Sequence, residues 1–322
     1  MAQSATTPAT LSAKKSVAAE PGLFADYATL FKVRVSAMVI ITAGAGYYLA
    51  SLASGISPFH LGMIQALAGM AVVTGGSGAL NQALERRTDA MMRRTSSRPM
   101  AAGRISLAHG LLVGFAAIFL GSWYLAQVTN LLTGTLTLLT AVSYVGIYTP
   151  LKRITVLNTF IGAFPGALPP LIGWTAVRGI IEWPAVALFA ILFVWQFPHF
   201  MAIGWMYRDD YAAAGIRLTP TQPDISFAAR STVIQSLFYA VLMVPVSIWP
   251  TWLGVTGKIY GVVAALLSLA YLWYTIRFAR IVQSPDATQS RRYAIDLLKA
   301  SVIYLPLLMA ALMLDAKGRL FF

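Results

Sequence analysis

Apolar and polar positions fall in long blocks along this chain, without the two-residue alternation of a strand or the narrow stripe of a soluble helix. Uninterrupted apolar stretches run roughly over 35–53, 58–80, 107–127, 130–148, 156–176, 184–205, 231–250, 256–276 and 297–314, each near the ~20 residues needed to cross a bilayer. The pattern predicts an all-α integral membrane fold of nine transmembrane helices, with Pro165, Pro169 and Pro170 kinking the fifth. Two polar segments are long, about 81–106 and about 206–230, and each opens with acids at a helix end. Residues 1–24 carry no continuous apolar stretch and read as a disordered tail ahead of a single transmembrane domain over 25–322. A targeting presequence competes for that tail, but such segments favour arginine and this one holds only Lys14 and Lys15.

Composition agrees with the pattern: 58% of the 322 residues are hydrophobic and 11% charged, with a mean hydropathy of +0.69. A net charge of +13 would suggest nucleic acid in a soluble protein. Here the cations gather on one side. With the N-terminus inside, the inner segments collect Lys32, Arg34, Arg86, Arg87, Arg93, Arg94, Arg98, Arg104, Lys152, Arg153 and most of the remainder. Arg178, Lys258, Lys317 and Arg319 alone fall outside. That asymmetry predicts a cytoplasmic N-terminus and an external C-terminus, and it explains the basic excess with no nucleic acid partner. Zero cysteines exclude disulfide scaffolds and thiolate metal sites, and His60, His109 and His199 are too scattered for a histidine cluster.

The chemistry concentrates at the inner helix ends. Asn81, Glu85 and Asp89 are spaced by four and share one helical stripe. Oxygen donors suit Mg²⁺, and the arginines that follow, Arg94 and Arg98 among them, suit phosphate. Asp209 and Asp210 open the second long segment on the same predicted face, and Tyr148 to Arg153 adds Lys152 and Arg153 between them. Solvated helix ends whose acids pair with Arg86 and Arg93 are the plainer reading of one cluster; two clusters on one face favour a metal site. A prenyl diphosphate fits such a surface, its charge facing Mg²⁺ and cations while its tail enters an apolar groove. Trp174, Trp183, Trp249 and Trp252 read as interfacial belt residues.

The first cluster resembles the Asn-Asp-x-x-Asp-x-x-x-Asp pattern of the UbiA superfamily of intramembrane prenyltransferases, with Gln82 and Glu85 replacing two of its acids. Those departures, the continuation Asp89 to Pro99, the segment Tyr148 to Arg153, Asn158, the run Gly166 to Trp174, Trp195 to Phe200 and Asp209 to Gly215 resemble the branch that farnesylates heme. The resemblance implies a UbiA-type fold around a central cavity open to the cytoplasm and sideways to lipid. It implies farnesyl diphosphate and heme B as substrates, Mg²⁺ as cofactor, heme O as product, the bacterial inner membrane as location, and a downstream heme O-processing enzyme as partner. It assigns catalysis to Asn81, Glu85, Asp89, Lys152, Asp209 and Asp210, with Glu85, Asp89, Asp209 and Asp210 as metal ligands. It gives the diphosphate to Arg94, Arg98, Tyr148, Lys152 and Arg153, and the heme to His199, Trp195 and Gln196. His199 reads as an axial iron ligand, a polar contact, a base near the vinyl group, or a hydrogen-bonded structural residue; His60 and His109 read as structural. A quinone-precursor prenyltransferase shares the acids without needing the His199 segment. A transporter with an ion site would hold its acids nearer the midplane.

Overall fold

A computed structural model of the chain describes residues 22–317, so Lys14, Lys15, Arg319 and nearly all of the expected tail lie outside the described residues. A short helix α1 (Leu23–Leu30) leads into α2 (Val33–Ala53), α3 (Leu61–Ala90) and α4 (Leu107–Val128). A fourth long span, Leu131–Leu151, is composite: α5 (Leu131–Val142), one π-helical stretch Ser143–Tyr148, and α6 (Thr149–Leu151). Next come α7 (Asn158–Ala167), α8 (Pro169–Arg178), α9 (Trp183–Met206) and the surface turn α10 (Arg208–Ala213). The chain closes with α11 (Ile225–Trp252), α12 (Lys258–Phe278) and α13 (Thr288–Leu314). Among the described residues nine helices are long and apolar enough to cross a membrane, as the apolar blocks predict.

The differences from the predicted boundaries have local causes. α3 runs on to Ala90, ten residues past the apolar block, because Asn81, Gln82 and Asp89 find partners on neighbouring elements and stay buried. The fifth span is not merely kinked. It is broken at Leu168 into α7 and α8, where Pro169 and Pro170 start the second half in positions that need no N–H. Trp174 is a correction to the interfacial belt: it is fully buried and its indole donates to Glu182 at 2.8 Å. Trp183 and Trp252 remain exposed near helix ends, with Trp183 against Trp249 at 6.3 Å.

Two contacts set the frame around the interior. A Cβ on Gly46 would collide with the Pro170 carbonyl, and one on Gly173 with the Ala43 carbonyl, so α2 and α8 cross backbone to backbone. The main apolar core lies in the other half, where Trp174, Leu188, Tyr260, Tyr271, Leu297 and Leu308 are fully or nearly fully buried between α8, α9, α11, α12 and α13. The α1–α2 elbow is the remaining feature that positions the site. Lys32 sits there at φ 48° and ψ 46°, the one non-glycine residue at positive φ among the described residues. A left-handed lysine costs roughly 1–2 kcal/mol of backbone strain.

Candidate active site

Between α2, α3, the π-helical stretch, α7 and α9 lies a cavity of about 310 Å³, lined by Val39, Ala43, Met70, Val73, Ala141, Pro165 and Ile172 along its apolar length. Polar side chains enter at one end: Lys32, Ser77, Tyr144 and Tyr148. The π-helical stretch puts Tyr144 and Tyr148 on this wall, with ring centroids 5.6 Å apart. Pro150, two residues on, has no N–H to give to the preceding turn, which helps account for the widened geometry.

α3 delivers the first motif to that end. Asn81 is fully buried; its amide donates to Thr149 Oγ1 at 3.1 Å and its carbonyl accepts from Lys32 Nζ at 2.5 Å. One turn further, Glu85 Oε1 accepts from Lys152 Nζ at 2.8 Å, and the same ammonium lies 4.6 Å from the centre of the Tyr148 ring. Burial alone would push the Lys152 ammonium down, but Tyr148, Glu85 and Tyr144 beside it outweigh that and hold it above the usual lysine value. Glu85 and Lys152 also line a second hollow of about 220 Å³ with Thr88, Arg153 and Ile216.

The remaining predicted residues do not all converge. Asp89 is 1% exposed and both its oxygens are held by one Arg98 nitrogen, at 2.8 and 2.9 Å, so these two form a loop-closing pair. Arg94 donates to Tyr211 at 3.1 Å and lies over the rings of Tyr207 and Tyr211, which joins the first long segment to the second. Met92, Ala214 and Ile216 bury together across the same seam. Asp209 is 95% exposed and pairs loosely with Arg208 at 3.5 Å, and Asp210 is half-buried on the same turn. Arg153 is exposed. Among the described residues no three acids or histidines gather as a metal group. The donors still fit Mg²⁺ at Asn81 and Glu85, since that ion characteristically takes one or two carboxylates and completes its shell with water and substrate phosphate.

The expected heme trio divides over two faces of α9. Gln196 lines the cavity and donates to the Ala163 carbonyl at 2.9 Å. Trp195 and His199 turn towards α13 instead, stacked at 4.8 Å, with the indole donating to the Ser301 carbonyl at 3.0 Å. The Ser301 hydroxyl donates to the Leu298 carbonyl at 2.6 Å and so accepts from His199 Nδ1 at 2.7 Å. That hydrogen bond leaves His199 Nε2 with the lone pair. His60 caps α3 by accepting from Gly62 N–H, and His109 meets the Tyr27 hydroxyl at 2.5 Å, so both have structural contacts.

Sequence reading missed Lys32, Tyr144 and Thr149, which complete the polar end, and it missed what Gln82 does. The Gln82 amide donates to the carbonyls of Thr29 and Leu30 at 2.7 and 3.2 Å. A carboxylate there would face two carbonyl oxygens, so an amide is the side chain the position requires. The signal lay in the substitution itself. Asn158 is a second tie: its amide donates to the Arg217 carbonyl at 2.6 Å while the Arg217 N–H donates to the Lys152 carbonyl at 2.7 Å.

Comparison with known proteins bears on this geometry. The UbiA prenyltransferase family matches residues 38–300. The protoheme IX farnesyltransferase of Koribacter versatilis is 45% identical over 91% of this chain and 94% of its own length. That of Solibacter usitatus is 39% identical over 91% and 99%. Among solved structures, digeranylgeranylglyceryl phosphate synthase superposes with a TM-score of 0.72 at 17% identity, covering 91% of this chain and 98% of its own. A UbiA homolog from Archaeoglobus fulgidus bound to DMAPP and Mg²⁺ superposes at 0.56 and 16% identity, covering 89% and 99%.

Proposed function

The chain belongs to the UbiA prenyltransferase family, and from that premise we propose that it transfers a farnesyl group from farnesyl diphosphate to a vinyl group of heme B, giving heme O. The observation that carries this reading is the apolar cavity whose polar end is lined by Lys32, Tyr144 and Tyr148, with Asn81 bonded to Lys32 and the Lys152–Glu85 pair against Tyr148 just beyond it. The isoprenoid chain occupies the cavity, and the diphosphate lies at its polar end between Asn81, Glu85, Lys152 and Tyr148. Asn81 and Glu85 would hold Mg²⁺, which supplies positive charge to the departing diphosphate.

The C1–O bond of farnesyl diphosphate breaks with its electron pair leaving on the diphosphate oxygen. Lys152 donates hydrogen bonds to that charge, and Tyr144 and Tyr148 turn their π faces to the allylic cation. The vinyl group's π electrons form the new C–C bond. Water then adds to the carbon next to the porphyrin and loses a proton, leaving a hydroxyethylfarnesyl side chain. His199, bonded through Nδ1 to Ser301 and stacked on Trp195 on the α13 side, would offer Nε2 to heme iron. Gln196 belongs to the farnesyl side. Asp209 and Asp210, on the segment that Arg94 and Met92 dock against the first, would add carboxylates on the cytoplasmic side of the site. The cation-rich end faces the cytoplasm of a bacterial inner membrane, and heme O passes to a downstream heme-modifying enzyme.

The test is direct. Purified protein given heme B, farnesyl diphosphate and Mg²⁺ should yield a heme heavier by one farnesyl group plus water in the mass spectrum. A prenylated phenol formed instead, with heme unchanged, would move the acceptor to a quinone precursor.

A further inference from the structure

Heme O formation consumes one water, and the farnesyl cavity is apolar along most of its length. Water present there too early would capture the allylic cation and turn the farnesyl group into farnesol. The reaction therefore needs a water that stands close to the reacting carbons but apart from them.

A smaller hollow, about 70 Å³, lies between α7, α9 and the segment that follows α10. Tyr148 and Phe200 line both spaces and so form their common wall, while Thr159, Tyr211, Leu218 and Pro220 close the far side. The volume exceeds the ~10–15 Å³ that one water occupies, and such a water needs about two to four polar partners. Three of the lining residues, Tyr148, Thr159 and Tyr211, carry hydroxyls. The Tyr211 hydroxyl accepts from Arg94 at 3.1 Å, which leaves its own proton to give.

Thr159 is 8% exposed, and its hydroxyl bonds to nothing among the described residues. The acceptor a helical threonine ordinarily uses lies one turn back, and here that carbonyl, of Thr155, is taken by both the backbone and the side-chain N–H of Asn158. Asn158 Oδ1, one residue before, is buried and also lacks a hydrogen-bond partner. The first turn of α7 thus holds two polar atoms that the fold leaves unsatisfied, beside a hollow of the size of water.

We propose that this hollow holds the water that adds to the heme side chain, with Thr159 and Tyr211 as its hydrogen-bonding partners and Phe200 as the screen between it and the allylic cation. The site deepens the heme farnesylation reading above and rests on it. Once the vinyl π electrons have formed the C–C bond, the positive charge lies on the carbon next to the porphyrin. The water oxygen gives a lone pair to that carbon and forms the C–O bond. The resulting oxonium passes its proton to a neighbouring water and so to solvent at α10. Without a held water, the same cation loses a proton from the adjacent CH₂. The product is then an unsaturated farnesyl heme, lighter than heme O by one water.

Mass spectrometry of the hemes, with heme B, farnesyl diphosphate and Mg²⁺ supplied, reads that partition. Thr159→Val should raise the unsaturated product relative to heme O by roughly five- to tenfold, with total farnesylated heme falling far less, and Thr159→Ser should return the ratio towards the parent's. Tyr211→Phe, on the surface turn, should move the ratio in the same direction. Phe200→Ala should release more farnesol per farnesylated heme than the parent. A product ratio within about twofold of the parent in both Thr159→Val and Tyr211→Phe overturns the proposal, as does Phe200→Ala with no added farnesol. A parent that farnesylates no heme defeats the functional reading and the water site with it, whereas a parent that makes heme O beside variants with an unmoved ratio defeats the water site alone.

Discussion

Single side chains at the polar end carry charge that is partly compensated within the protein, and this makes their removal informative. Lys152→Met strips the buried Glu85 of its partner and should cost about 2 kcal/mol, below a fully buried pair because both side chains keep some exposure. Adding Glu85→Gln should restore the melting temperature but not heme O formation, which separates the ion pair's structural part from its chemical one. Asp26 offers a pH test away from the membrane. Its hydrogen bond from Arg104 holds the carboxyl below its usual range, against burial that raises it. A depressed carboxyl stabilises the fold above its unfolded value near ~3.9, and that contribution disappears as pH falls through the folded value. Melting temperature should therefore drop on acidification through that window in the parent and less steeply in Asp26→Asn. These pairings were only partly legible from sequence. Spacing placed Asn81, Glu85 and Asp89 on one stripe, but nothing in it told that Asp89 would be taken by Arg98 or Asn81 by Lys32, since those partners come from other segments.

Elements explain why the stripe and the cavity coincide. Apolar length revealed the nine spans, because lipid imposes it; the breaks inside two of them were legible only as prolines. Whether Pro165, Pro169 and Pro170 kink or divide a helix depends on how closely α2 approaches, and that approach is set by Gly46 and Gly173. Gly173→Ala pushes a methyl into the Ala43 carbonyl and should destabilise by about 1–3 kcal/mol or more, read as lost folded yield in detergent. The α1–α2 elbow gives a second test. Gln82→Asp restores the commoner superfamily residue but turns a carboxylate on two carbonyls. It should cost about 1–3 kcal/mol and slow heme O formation by loosening Lys32, with Gln82→Asn milder in both.

At the scale of the molecule, the chain has no cysteine, so single cysteines report topology without a background. Cysteine at Ser96 should react with an impermeant maleimide only from the cytoplasmic side, and cysteine at Ser57, exposed between α2 and α3, only from outside; the reverse pattern would invert the proposed orientation. Chelation of Mg²⁺ should abolish heme O formation and leave the melting profile intact, because among the described residues no metal cluster ties the helices together.

The π-helical stretch Ser143–Tyr148 works as a phase adjuster. A widened turn holds one residue more than an α-turn over the same rise, so everything after it is rotated by roughly 100° about the helix axis relative to an unbroken helix. Thr149 and Lys152 owe their aim at Asn81 and Glu85 to that offset. Replacing Gly146, whose Cβ position meets no neighbour, with alanine would favour regular α-helix over the widened turn while every residue is kept. The protein could keep its membrane length and its apolar core, yet Lys152 would swing to a different face, and the catalytic end would be dismantled by a change of angle alone.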